Sequence, residues 1–386
     1  MRVQLATSTE ELDRLKDAWL RIQACDSDCT VYTDFNFLRS WWIACEGDSS
    51  LSLYIVYASF SGKVIAIAPF IRVAQRRLMT VRWNELRFMG IGDSFTVMVD
   101  STVVDCSRAF KLIFNFLEDQ SDTWECIFLN NIGSHTKLAH YLRGSEKFAV
   151  AFRYATECPY VTFIDGVQDY VVDLHRLAKV RRYWKRARQE LDAEFHVNTH
   201  HEADFVEQMM GLHRREQAHL RTKGHKTRRS LFDDAHVAQF VRQVYLSDGR
   251  VMTFAICQAG SGKLLGYYTC YVHGHVIHFW NQAYDPDYEV YRMGQMLALS
   301  VFEFLRESQF TGEFDFGSGA YSWKYRLARK SRPMFRLELW RKESRSKEQA
   351  IRVLTRLGVN YDITPKSFLR RLSGSIRQCQ SDGEDP

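Results

Sequence analysis

The sequence predicts an α/β protein built from two tandem copies of one unit, each a mixed, mostly antiparallel sheet flanked by helices. Three observations predict it. Residues 34–45 read as a helix, Leu51 to Ala58 as a strand, Ser61-Gly62-Lys63 as a turn and Val64 to Val73 as the return strand. The same order returns 200 residues later: a helix over 235–246, a strand from Val251, a second Ser-Gly-Lys turn at Ser261, and a return strand from Leu264. Third, Val251 to Tyr284 divides into three short strands at Ser261-Gly262-Lys263 and His273-Gly274-His275, the pattern of an antiparallel meander. A chain of 386 residues, 46% hydrophobic and 25% charged, suits two folded domains and excludes disorder, collagen and coiled coil. The units are placed at 1–165 and 166–377, with a disordered tail at 378–386.

The elements follow in order. Ser8 stands three residues before Glu11, a capping-box spacing. Leu12, Leu15, Trp19 and Ile22 recur at helical steps, so 8–24 reads as one helix. The N-terminus has no apolar signal core, so a cytoplasmic protein is expected. The longest apolar run, Val64 to Ile71, contains Pro69 and is strand-sized, far below the ~18 residues of a membrane span. Nine Cys are scattered, and only Cys25 and Cys29 are close, so packed, reduced thiols are expected and no zinc site. Residues 174–194 form a basic amphipathic helix: Arg176, Lys179, Arg181, Arg182, Lys185, Arg186 and Arg188 lie around a stripe of Leu177, Val180, Trp184, Ala187 and Leu191. It reads either as a solvated face or as an anion-binding wall, which would line a cleft between the two units. The net charge of +6 fits anionic ligands such as phosphates but does not by itself indicate nucleic acid.

The C-terminal half carries the chemistry. After the meander come Asp285-Pro286-Asp287, then Arg292-Met293-Gly294-Gln295 opening an apolar-striped helix through Leu305. A strand over Gly312 to Gly317 follows, then a segment from Ser318 to Leu327, a strand from Phe335 to Trp340 and a basic helix at 345–357. Free N–H groups at a helix start favour phosphate; Arg292 adds charge and Gly294 clearance. Lys324, in a Gly-rich aromatic segment, reads as a partner for a phosphate or oxyanion or as a surface lysine. Asp315 alternates with Phe314 and Phe316, so it reads as an acid near an acceptor or as a strand-end cap. Tyr321 reads as a proton donor or a packing residue, and His213 with Glu216, one turn apart, as a base site or a surface pair. His273, His275 and His278 are divided by a turn and by strand alternation, and no metal is expected. The G-x-S-x-G elbow of a serine hydrolase is absent.

Residues 251–327 resemble the GNAT acyltransferase superfamily, and within it the tandem-domain, cellulose-biosynthesis-type (CelD/BcsL) acetyltransferases, relatives of the Fem aminoacyl transferases. The resemblance rests on the meander with Asp285-Pro286, the Gly294-Gln295-Met296-Leu297 helix start, Phe314-Asp315-Phe316-Gly317-Ser318-Gly319 and Lys324. The basic helix and Leu212-His213-Arg214 also sit at matching places. It implies two GNAT-like domains, the first degenerate and on the acceptor side, the second holding the donor. The donor would be acyl-CoA (acetyl-CoA), with its diphosphate on Arg292, Met293, Gly294, Gln295 and Met296, and with Gln282 and Tyr284 alongside. Lys324, Tyr321, Asp315 and His213 would serve transfer to an amine or hydroxyl of a sugar-, peptide- or metabolite-like acceptor, and polysaccharide biosynthesis is the implied setting. Two departures stand: one glycine where the usual loop has two, and Trp323-Lys324 in place of Tyr-Lys. A Fem-type enzyme using aminoacyl-tRNA and a non-catalytic binding module are the alternatives. In the module, a slot between the meander's second and third strands would be plugged.

Overall fold

Runs of Val, Ile, Tyr and Phe become strands because β-branched and aromatic side chains pack well on a pleated surface. The computed structural model describes residues 1–77, 81–164, 167–168, 174–198 and 201–356. The expected tail at 378–386 and the side chain of Arg176 lie outside the described residues. The strands are β1 (Arg2–Ala6), β2 (Leu51–Phe60), β3 (Lys63–Arg77), β4 (Val81–Phe88), β5 (Met98–Val99), β6 (Cys126–Gly133) and β7 (Phe152–Ile164) in the first half. They continue as β8 (Val167–Gln168), β9 (Ala193–Asn198), β10 (Val251–Gln258), β11 (Leu264–His273), β12 (Val276–Tyr284), β13 (Gly312–Asp315) and β14 (Lys330–Trp340).

All join one sheet in the order β1-β2-β3-β4-β6-β14-β7-β13-β12-β11-β10-β9, with β5 on β3 and β8 on β7. Each half runs antiparallel through four strands and then makes one parallel pairing, β4 with β6 and β12 with β13. The halves then exchange a strand: β7 pairs with β13, and the last strand, β14, inserts between β6 and β7. The sheet is therefore continuous across the 165/166 division.

The repeat is visible in the caps. Thr30 and Ser230 each cap a short 3-10 turn, and Asp34 and Asp234 cap the helices Phe35–Cys45 and Ala235–Ser247 that follow. Those two helices pack together through Phe37 and Phe240, ring centroids 5.0 Å apart. Arg250 pairs with buried Asp34 at 2.6 Å across the halves. One apolar core accordingly contains residues of both halves, from Trp19 and Phe70 to Phe232 and Tyr271.

Four local expectations are corrected. The helix over 8–24 is two, Thr9–Arg14 and Lys16–Cys25, broken at Leu15, whose N–H turns back to Leu12 and Asp13. The strand expected to reach Gly317 ends at Asp315, because the Asp315 carboxylate accepts the Gly317 N–H at 2.7 Å and φ there is +73°. β14 starts at Lys330 rather than Phe335, since pairing with β7 extends it through Pro333. The basic helix, Leu174–Leu191, lies on helix Met293–Glu307, with Trp184 Nε1 donating to Ser300 Oγ at 3.0 Å, and does not line a cleft between the halves.

Candidate active site

β12 and β13 pair only at Val276–Glu313, Ile277–Phe314 and His278–Asp315. Beyond these positions β12 continues to Tyr284 while β13 stops, so the two strands part. The expected slot between the meander's second and third strands does not exist: β11 and β12 stay paired from His273 to Gly266. Their register shifts at Thr269/Cys270, which leaves Trp280 as an extra residue on β12.

The segment after β12 is built for a helix start. Asp285, fully buried, caps the 3-10 helix Pro286–Tyr291 and is met by Arg215 at 2.9 Å and Lys263 at 3.3 Å. Arg292 then takes a left-handed conformation (φ 56°), which turns the chain into helix Met293–Glu307. The Gln295 and Met296 N–H groups, two of those expected for a diphosphate, both return to the Arg292 carbonyl, at 2.9 and 3.2 Å. The N–H groups of Met293 and Gly294 have no acceptor among the described residues. A side chain added at Gly294 would meet nothing within 4 Å, so the approach is open. Tyr268 Oη donates to the Gly294 carbonyl at 3.0 Å and fixes this start to β11. Gln282 and Tyr284 are half-buried on the last turn of β12.

At the parting itself lies a buried polar cluster. Lys324 is 3% exposed; its Nζ donates to the Gly317 and Ser318 carbonyls at 2.8 and 2.9 Å. Burial pushes its ammonium below the usual lysine value, against the pull of Asp93, Cys158 and Asp315. Asp315 accepts from Cys158 Sγ at 2.9 Å and from the Gly317 N–H. Burial would raise this carboxyl, but His278, Arg332 and those hydrogen bonds outweigh it and hold it below the usual range. Burial lowers His278 to about 4. Tyr321 is 56% exposed, its ring 5.3 Å from Lys324 Nζ.

Asp93 was not foreseen. It sits on the loop after β4, and burial pushes its carboxyl up to about 7, with Lys324 opposing and Asp315 adding to the rise. The Gly90-Ile91-Gly92-Asp93 run was the only available signal, and it has no chemistry without a partner in space. His213 is elsewhere: enclosed on helix Ala203–Thr222, its Nδ1 2.7 Å from Ser230 Oγ, and lowered to about 4 by burial. Glu216, also buried, is raised to about 7 by burial, with the Tyr284 N–H opposing. Among the described residues no cluster of three metal-ligating side chains occurs.

Residues 175–325 match the family profile described as an acetyltransferase (GNAT) domain. The fold is GNAT-like and tandem. Among solved structures, FemX is similar with a TM-score of 0.56 at 9% identity, covering 88% of this chain and 98% of that one. L-PGS from Bacillus licheniformis gives a TM-score of 0.53 at 13% identity, covering 92% and 98%. The C-terminal domain of a putative lysylphosphatidylglycerol synthetase from Agrobacterium fabrum gives 0.50 at 14%, covering 89% and 97%. No curated protein matches the sequence. No described helix is long and apolar enough to cross a membrane.

Proposed function

We propose that the protein is an acyl-CoA-dependent N-acyltransferase whose second half binds the donor. The observation that carries this reading is the parting of β12 and β13 beside a helix start with two unspent N–H groups and open space above Gly294. The diphosphate would lie on the Met293 and Gly294 amides beside exposed Arg292. The pantetheine arm would run along the unpaired edge of β12, past Tyr284 and Gln282, to the parting. The acyl carbonyl would then meet Lys324, whose charge, held in a dry site, stabilises the developing oxyanion. Tyr321 lies beside it as donor to the leaving thiolate, and Asp315 fixes the Gly317 turn that places Lys324. His213 holds Ser230 and acts only through position.

On this reading the first half follows the same plan but would hold no donor. Its helix Cys106–Asp119 occupies the place of Met293–Glu307, but the Asp105 carboxylate already accepts the Arg108 N–H there, at 3.0 Å, and repels phosphate. That supports the acceptor-side role of residues 1–165. Isothermal titration with acetyl-CoA tests the assignment; absence of heat at millimolar ligand removes it.

A specific observation favours a second reading, aminoacyl-tRNA as donor. Residues 214–229 hold seven Arg and Lys against one Glu, and 174–191 hold the same ratio. Both basic segments are tied to the turn before Arg292: Tyr291 donates to Glu190 at 2.6 Å, and Glu289 takes His219 and Lys223. The donor entrance thus lies between two basic walls, as a polyphosphate chain requires. Salt-sensitive retention of tRNA without acetyl-CoA binding would replace the first reading by this one.

A further inference from the structure

The first half reaches into the second half's site, and three close approaches are needed to let it do so. Gly90 takes a φ of +98°, and a side chain there would strike Leu38 Cδ2 at 2.6 Å. A side chain at Gly92 would overlap the Tyr32 ring at 2.2 Å. One at Gly317 would meet Asp93 Oδ2 at 2.5 Å and the Phe279 carbonyl at 3.2 Å. Asp93 therefore lies against the turn that follows β13, beside the β12 main chain where the strands part. Asn131 stitches the two loops together: its Nδ2 donates to the Gly92 carbonyl at 2.8 Å, and its Oδ1 accepts from Ser318 Oγ at 3.3 Å.

We infer that Asp93 is the proton acceptor for the incoming amine, so that the first half supplies a catalytic group to the second half's donor site. The inference rests on the acyl-transfer reading above. The groups facing Asp93 come from four elements: Lys324 from the short helix Ser322–Tyr325, Asp315 from β13, Cys158 from β7 and Tyr32 from the turn Val31–Thr33. Asp315 is committed to the Cys158 thiol and the Gly317 N–H, while Asp93 accepts only the Ser318 N–H and makes no ion pair among the described residues. Two neighbouring carboxyls are thus driven in opposite directions, the arrangement that separates a base from a fixed anion. The Tyr32 hydroxyl is fully buried without a hydrogen-bond partner among the described residues, and Asp93 is the charged group acting on it most strongly.

The step balances. An alkylammonium gives one proton to the Asp93 carboxylate; the freed nitrogen lone pair forms the C–N bond to the thioester carbon. The C–S bond breaks, the Tyr321 hydroxyl gives its proton to the departing thiolate and takes the second nitrogen proton in its place, and Asp93 returns its proton to solvent. The net products are amide, free thiol and one proton.

The test uses the full-length protein and Asp93→Asn, with two readouts. Difference infrared spectroscopy follows the carboxyl band lost in Asp93→Asn, with no donor present. Thiol release from acetyl-CoA, with glucosamine as the amine probe and with water alone, is followed against pH, and acetyl-CoA affinity is measured alongside. The expected result is a band titrating near neutrality and unchanged acetyl-CoA affinity. Thiol release should fall about a hundredfold in the variant, with the acidic limb of the profile abolished. A band titrating in the ordinary carboxylate range overturns the inference whatever the donor, as does a variant that keeps the wild-type limb. A wild type that binds no acetyl-CoA overturns the donor reading alone; the infrared titration then decides Asp93.

Discussion

Lys324 shows how one side chain can hold shape and charge together. Its ammonium spans two carbonyls of the Gly317–Ser318 turn, that of Gly317 buried and that of Ser318 partly so, and removing it leaves the buried acceptor unpaired, at about 1–3 kcal/mol. Lys324→Met should lower thiol release from acetyl-CoA about a hundredfold while leaving acetyl-CoA affinity within a few-fold, because the charge meets the reacting carbonyl and not the diphosphate. Steady-state kinetics paired with calorimetry checks this. Gly317 is constrained twice, by its positive φ and by Asp93. Gly317→Ala should lose roughly 2 kcal/mol or more of stability, read as a lower chemical-denaturation midpoint, and displace Asp93 with it. Of the four side chains named from sequence, Lys324 and Asp315 lie in this cluster and Tyr321 at its edge, because a Gly-rich turn with a strand-end acid is a local signal, while His213 lies elsewhere. Asp93 was hidden because the charged groups beside it, Lys324 and Asp315, are more than two hundred residues away along the chain.

Among the elements, the 3-10 helix Pro286–Tyr291 ties together the segments around the proposed donor entrance. Asp285 caps it, Arg215 and Lys263 fasten the cap, Glu289 binds the basic loop and Tyr291 the basic helix. Asp285→Ala should cost about 1–2 kcal/mol for the lost cap and weaken acetyl-CoA binding, since the left-handed turn at Arg292 would no longer be held. Thermal melts and calorimetry on one preparation read both effects. The Ser8 cap was legible because capping depends on a few neighbouring residues. The length of β14 was not, because Pro333 argues against a strand unless a partner such as β7 supplies the pairing.

Across the whole molecule, burial places neutral histidines and raised carboxyls in one fold, and their pH effects oppose each other. His213 and His278 fall to about 4, so between there and the ordinary histidine value the unfolded chain binds more protons and stability rises with pH. Glu216 and Asp93 rise to about 7, so over the same range the folded chain binds more protons and stability falls with pH. Glu216→Gln should therefore make the stability-versus-pH slope more positive by about 1.4 kcal/mol per unit between roughly pH 5 and 6.5. His213→Gln should make it more negative by a similar amount, both read from denaturant titrations across that window. By itself the sequence determined the repeat, the meander, the helix starts and the segment from Asp285 to Lys324 as the candidate site, since each is a pattern of neighbours. Only the tertiary structure decided that β7 and β14 change places, that the strands part at β12 and β13, and that Asp93 joins Lys324. Those depend on pairing and packing between distant stretches, whose free energy leaves no mark on local residue order.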